Sequence, residues 1–373
     1  MTPPDRPRIR RLILQDFRSH GALDLAVSRG LVTLSGENGA GKTNVLEALS
    51  LFAQGRGLRR AEFGDMVRHD AANFAVSVTL GRDGEHRLGT SFARGADGTR
   101  GERLCRIDGG TVPTASAFAE HLRLVWLTPD LDGLFRASPG ERRRFLDRLV
   151  LAVDARHAGR VSALERALRQ RNRLLEEGRG GAWLEAAERE LAELAVAVAV
   201  ARRDTAARLD AELLTRADSR SPFPFARLAL TGPFEALGEG LPALDQEDAY
   251  RAALRDNRAR DAAAGRTLLG PQTTDLLVRH GPKDMPAELC STGEQKALLL
   301  RLVLAHSRLV ERMSAIAPLL LLDEVAAHLD PSRRTALYRE LADFGSQVWM
   351  TGADPELFAE LEGEADLMRI GSA

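Results

Sequence analysis

The chain has 373 residues, with 52 Lys+Arg against 53 Asp+Glu and a formal net charge of −1. At 44% apolar content it can bury one large core or two smaller ones. Two cysteines exclude a disulfide framework and suit a reducing compartment, and the balanced charge excludes a general polyanion-coating surface.

In chain order, MTPPDRPRIRR lacks the apolar stretch of a secretion signal, and no later run approaches a membrane span. A soluble, cytoplasmic protein with no membrane role is expected. Strands are predicted over Arg11–Phe17, Ala22–Val27 and Leu31–Ser35, and a helix over Asn44–Gln54. Further strands are predicted at Phe74–Leu80, His86–Ala93 and Leu104–Ile107. A short helix near Ala115–Leu122 and a strand at Leu124–Leu127 follow. From Ser138 to about Ala217 the strand signal disappears. Leu146, Leu149, Val153, His157, Val161, Leu164 and Leu168 recur at helical steps, as do Leu184, Ala187, Leu191, Leu194, Val198 and Ala201 beyond the break at Gly178–Gly181. Two amphipathic helices of roughly 45 Å, at about 1.5 Å per residue, are expected to fold back as a hairpin. Periodicity does not separate a projecting arm from an ordinary helical subdomain. After Ser221-Pro222-Phe223-Pro224 come a strand (Phe225–Leu230), a helix (Glu247–Ala264), Leu276–Val278, a helix (Gly293–Val310) and a strand (Leu319–Leu322). A helix (Pro331–Leu341) and a strand (Gln347–Met350) complete the chain. The expected class is α/β: residues 1–137 and 266–373 form one head, interrupted by a mainly helical insertion over 138–265.

The strongest motif is Gly36-Glu37-Asn38-Gly39-Ala40-Gly41-Lys42-Thr43, placed between a strand and a helix. Glycines in that context turn backbone N–H groups toward a phosphate, and the helix N-terminus adds its positive end. Lys42 would reach the β- and γ-phosphates of ATP, and Thr43 would ligate Mg²⁺. Leu319–Leu322 reads as a strand buried on both faces, with Asp323 and Glu324 at its C-terminal end, where ligands bind in open α/β sheets. Asp323 would hold the metal, and Glu324 would polarise an attacking water. Ser291-Thr292-Gly293-Glu294-Gln295 opens a later helix and offers a second anion-binding turn. Ser291 and Glu294 also have the spacing of a helix capping box, and both readings can hold together. Lysine occurs only at Lys42, Lys283 and Lys296; all other basic side chains are arginine. A lysine kept in such a chain suggests a place that requires a compact ammonium rather than a planar guanidinium.

Together with Asp330 of His328-Leu329-Asp330 and the strand ending Met350-Thr351-Gly352, these motifs resemble an ABC-type ATPase head of the SMC-like kind. Phe17-Arg18-Ser19-His20, Gly55-Arg56-Gly57-Leu58-Arg59-Arg60 and Pro139-Gly140-Glu141-Arg142-Arg143-Arg144-Phe145-Leu146-Asp147 narrow the match to the RecF family of bacterial recombination mediators. The resemblance implies an ATP-dependent homodimer in which Ser291–Gln295 of one copy closes on nucleotide held by the other. Asp330 then matches the D-loop aspartate, and Thr351 stands at the switch position. It further implies binding to duplex DNA and single-strand/double-strand junctions, weak regulatory ATP hydrolysis stimulated by DNA, and cooperation with RecR and RecO in loading RecA. Gly270-Pro271-Gln272-Thr273 departs from the family's usual Gly-Pro-His-Arg, and Thr128-Pro129-Asp130 occupies the place of the Q-loop glutamine.

Arg56, Arg59, Arg60, Arg142, Arg143 and Arg144 are the DNA-contact candidates, against the alternative of solvated basic helix faces. Two other readings are weaker. A transporter nucleotide-binding subunit would have a switch histidine and a Q-loop glutamine, and an SMC-like tether would have a much longer coiled coil.

Overall fold

A computed structural model describes residues 5–82, 84–95, 101–215, 223–327 and 329–371. The chain divides into two compact units. The first comprises Met1–Asp132, Arg220–Phe223 and Leu299–Ala373, and the second Gly133–Ser219 and Pro224–Leu298.

The centre of the first unit is a parallel sheet ordered Ala365–Arg369, Leu31–Ser35, Val348–Gly352, Leu319–Leu322, Leu124–Leu127. Every residue of the four strands other than Ala365–Arg369 is buried, as their unbroken apolar character requires of strands covered on both faces. Leu322 pairs with both Met350 and Leu127, and Gly352 pairs with Ser35. This register brings Gly36, Asp323, Thr351 and Thr128 to one end of the sheet. The helix Lys42–Ser50 starts two residues before its predicted onset, because Gly41 adopts a left-handed conformation and caps it. A six-stranded antiparallel sheet runs His20–Ala26, Arg8–Phe17, Asn73–Arg82, Gly84–Ala93, Glu102–Ile107, Gly110–Val112. Its Leu12, Leu14, Phe74, Val76 and Val78 share one core with Val32, Leu46, Leu321 and Trp349. The short helix expected near Ala115–Leu122 is a 3-10 turn over Ala115–Glu120.

The second unit corrects the hairpin. The periodicity that reads as one helix belongs to two, Pro139–Val153 and His157–Glu176. Asp154 is extended between them, and its carboxylate accepts the N–H of Arg156, so side chain–backbone bonding replaces the helical ladder. The returning helix, Ala182–Thr215, has 34 residues and is about 50 Å long. It is not a bare arm. Leu191, Ala195 and Val198 pack with Leu164 and Ala167 and also with Phe234, Tyr250 and Leu254 from the helices Pro233–Leu237 and Ala243–Asp256. The helix expected over Glu247–Ala264 breaks at Asn257, whose amide donates to the Ala253 carbonyl at 2.7 Å, and resumes over Arg258–Ala264. A buried ionic cluster fastens this unit. Arg171, with no exposed side-chain surface, donates to Glu188, Asp261, Thr267 and the Leu254 carbonyl.

The compact units do not follow the expected division at 265/266. Residues 266–298 lie in the second unit, because Asp275–His280 pairs along its length with Ala226–Thr231. His328, Ala217, Ser221 and Pro222 lie outside the described residues. Among the described residues no helix is long and apolar enough to cross a membrane.

Candidate nucleotide site

The loop after Leu31–Ser35 needs glycine at two points. Gly36 has φ +148°, and a Cβ there would lie 2.3 Å from the Ile370 carbonyl oxygen. Gly41 has φ +93°, and a Cβ would lie 2.5 Å from His20 Nε2 and 2.7 Å from Ser19 Oγ. Gly41 caps the helix Lys42–Ser50 without any side-chain acceptor, which leaves the first-turn N–H groups for an anion. Lys42 folds over the loop, its Nζ donating to the carbonyls of Gly36 at 2.7 Å and Glu37 at 2.8 Å.

Asp323 is the polar centre of the sheet end. Its carboxylate accepts from Thr43 Oγ1 at 2.9 and 3.1 Å and from Thr351 Oγ1 at 2.6 Å. The Thr351 hydroxyl in turn accepts the Glu324 N–H at 2.9 Å, so one buried oxygen ties both carboxylate positions together. Burial pushes the Asp323 carboxyl above the usual carboxylate range, with nearby Glu324 adding to the rise. The hydrogen bonds from Thr351 and Thr43 only partly offset it. Glu324 holds φ +52°, a left-handed conformation that costs a non-glycine residue about 1–2 kcal/mol. Thr128 continues the Leu124–Leu127 strand in extended conformation, and its buried hydroxyl has no hydrogen-bond partner.

This oxygen-only set fits a magnesium ion. Among the described residues no group of three or more His, Cys, Asp or Glu side chains can hold a metal. A hard cation taking one carboxylate, one hydroxyl, water and phosphate oxygens needs no such cage. Thr43 and Asp323 are the residues that would hold it.

In the second unit, Ser291 precedes the helix Thr292–Ser314 and forms the expected capping box. The Glu294 N–H donates to Ser291 Oγ at 3.4 Å, and the Ser291 N–H and hydroxyl donate to Glu294 Oε2 at 3.0 and 2.8 Å. Ser291, Thr292 and Gly293 are exposed, while Gln295 is buried and donates to the carbonyls of Cys290 and Glu288. Asp330 caps the helix Pro331–Ala342, accepting the Arg333 N–H at 2.9 Å. Thus Gly36–Thr43, Asp323, Glu324, Asp330 and Thr351 belong to one unit and Ser291–Gln295 to the other.

The arginine candidates separate by environment. Arg142 forms a bidentate pair with Asp275 at 2.7 and 2.6 Å and also donates to the Ala137 carbonyl, which makes it a brace within the second unit. Arg143 donates to the Thr274 carbonyl at 2.9 Å. Arg144 is 58% exposed, with Glu141 3.8 Å away. In the first unit, Arg56 pairs with Glu62, and Arg59 pairs with the fully buried Glu47 and with Asn44 of the phosphate-loop helix. Arg60 takes a left-handed φ of +57°. Sequence reasoning had no signal for Glu47, which also receives Arg18 through two hydrogen bonds, because a glutamate in a short amphipathic helix reads as solvent-facing.

The RecF/RecN/SMC N-terminal domain model matches residues 8–369. The chain is 49% identical to the DNA replication and repair protein RecF of Mesorhizobium japonicum over 98% of this chain and 97% of that protein. In structure it is similar to the recombination mediator protein RecF-ATPrS, with TM-score 0.84 and 21% identity over 95% of this chain and 94% of the other. A second solved structure, RecF-ATP in the RecFOR pathway, gives TM-score 0.81 and 20% identity over 96% of each chain. With an ABC-type head, a glycine-rich phosphate loop and relatives matching nearly end to end, the chain belongs to the RecF family of DNA replication and repair proteins.

Proposed function

We propose that this chain is an ATP-dependent DNA-binding protein that dimerises around nucleotide. ATP held by Gly36–Thr43 of one copy is completed by Ser291–Gln295 of the second. The observation that carries the reading is the Thr43–Asp323–Thr351 hydroxyl–carboxylate cluster at the sheet end beside the phosphate loop. Lys42 leaves the Gly36 and Glu37 carbonyls for the β- and γ-phosphates. Thr43 and Asp323 would hold the magnesium, which would supply charge neutralisation to the phosphates. Glu324 orients water, with its backbone pinned by Thr351. Thr351 acts at the switch position and Asp330 as the D-loop aspartate.

The solved relatives named with ATP and with the RecFOR pathway support nucleotide binding, and by extension partnership with RecO and RecR and assistance to RecA loading. The DNA substrate is duplex and single-strand/double-strand junctions, bound in the cytoplasm chiefly through phosphate contacts. Arg56, Arg59, Arg60, Arg143 and Arg144 remain the contact candidates; Arg142 serves first as a brace. Hydrolysis is weak, DNA-stimulated and regulatory.

Sedimentation of the wild type, Ser291→Arg and Glu324→Gln with ATP, Mg²⁺ and gapped DNA tests this. Glu324→Gln should accumulate as an ATP-bound dimer. Ser291→Arg should bind ATP as a monomer and fail to dimerise. Normal dimerisation by Ser291→Arg would refute the shared site.

A further inference from the structure

Two of the three lysines fall inside motifs; Lys283 does not. It lies in the turn joining Asp275–His280 to Met285–Pro286, and its ammonium pairs with Glu294, eleven residues away, at the head of the serine-motif helix. The Glu294 carboxylate is thereby divided: Oε1 meets Lys283, while Oε2 accepts both the N–H and the hydroxyl of Ser291. These bonds, with Lys283 the largest influence, hold the carboxyl down at about 2, so it is fully charged. A full negative charge thus occupies the donors of the serine turn.

We propose that Lys283 is a positioning residue for the serine motif: Glu294 is an internal stand-in for a triphosphate's terminal phosphate, and Lys283 is the counter-charge that draws Glu294 aside when a partner copy's nucleotide arrives. This rests on the shared-site reading above. Phosphate and carboxylate cannot both use the Ser291 hydroxyl, and a carboxylate left there repels the incoming anion. An ammonium suits the task because it is a point charge that engages Oε1 alone. A guanidinium fork takes both carboxylate oxygens and would strip Oε2 from Ser291. Lys283 is about half exposed at 51% and Glu294 is 23% exposed, so neither substitution empties a core.

The test is ATP-dependent dimerisation of the full chain, followed by sedimentation with ATP and Mg²⁺, in Lys283→Met, Glu294→Gln and the double variant. Lys283→Met should raise the protein concentration needed for dimerisation about fivefold, the order of one half-exposed charge pair. Glu294→Gln should lower it, since a neutral amide still caps the helix. In that background Lys283→Met should change nothing beyond about twofold. ATP binding by the monomer should stay put in Lys283→Met, while its dimerisation shifts only where Glu294 keeps its charge, which a merely structural lysine would not ensure. An equal loss in both backgrounds, or none in either while Ser291→Arg still blocks dimerisation, would overturn this role alone. Normal dimerisation by Ser291→Arg would remove the shared site and this proposal with it.

Discussion

Replacing Thr351 with valine keeps shape and volume but deletes the hydroxyl that joins Asp323 to Glu324. The side chain is wholly buried, donates to the Asp323 carboxylate at 2.6 Å and accepts the Glu324 N–H at 2.9 Å. A hydrogen bond to a charged group contributes about 1.5–3 kcal/mol net, and an N–H left without a partner costs about 1–3 kcal/mol when buried. Glu324 is only partly buried, so water recovers some of the second amount. The expected loss is therefore about 2.5–4 kcal/mol, a large share of a typical 5–15 kcal/mol. Thr351→Ser keeps both bonds and should lose less than about 1 kcal/mol, from one methyl group. Urea unfolding followed by fluorescence of Trp126 and Trp349, both buried in this unit, measures the difference. If valine and serine variants unfold within about 0.5 kcal/mol of each other, the hydroxyl bridge does not hold the sheet end together. The charge consequence has a definite sign. Losing a hydrogen bond that lowers the Asp323 pKa raises it further, so magnesium-dependent nucleotide binding should weaken at a higher pH in Thr351→Val than in wild type.

Arg142→Ala should destabilise the second unit by about 2–3 kcal/mol in thermal unfolding, because it strands the partly buried Asp275 carboxylate. Arg144→Ala should change stability by less than about 0.5 kcal/mol and instead reduce the slope of log affinity for duplex against log salt by roughly 0.9. An unchanged salt slope would remove Arg144 from the DNA surface. Burial acts to raise the Asp147 pKa, but hydrogen bonds from His157 and Arg202 outweigh it and hold the carboxyl below its ordinary value. A depressed carboxylate contributes stability above the unfolded-state pKa and loses it as pH falls through the folded value. Asp147→Asn should therefore be less stable than wild type at neutral pH, with the gap closing only in acid below about pH 4. A gap that persists at pH 2 would show that packing, not charge, is what the substitution removes.

The parts of the site visible in the sequence are those in which local chemistry and tertiary role coincide. Leu319–Leu322 is a strand because four leucines can be buried only on both faces, and the structure places its ends as predicted. The glycines of the phosphate loop are set by backbone angles that no other residue takes easily. Other features depend on distant partners. Ala365–Arg369 has a mixed pattern that signals no strand; it forms beside Leu31–Ser35, and Asp366 there accepts from the backbone of Ser28 and Arg29. The breaks at Asp154 and Asn257 come from side chains competing with the helical ladder, while the apolar period runs through them undisturbed. Nothing in Glu-Arg-Arg-Arg shows which arginine meets Asp275, because that partner lies 133 residues away.

A common principle links the two half-sites. Each side-chain donor the proposed chemistry requires is engaged within its own unit: Lys42 by loop carbonyls, Thr43 and Thr351 by Asp323, Ser291 by Glu294. For these side chains, nucleotide binding as proposed would be an exchange of hydrogen bonds rather than a gain of new ones, and exchanged bonds return about 1 kcal/mol each, not the several of an isolated bond. On the proposed reading, a site of this kind should bind ATP modestly within a single copy. In the proposed dimer, what would remain to stabilise closure is the charge of the terminal phosphate against Lys42, a bound metal and the serine turn, and that charge would be lost when inorganic phosphate leaves after hydrolysis. On the proposed reading, a clamp whose closure depends on so narrow a margin should reopen once the terminal phosphate has left, and the weak, regulatory hydrolysis proposed above is what such a margin would give.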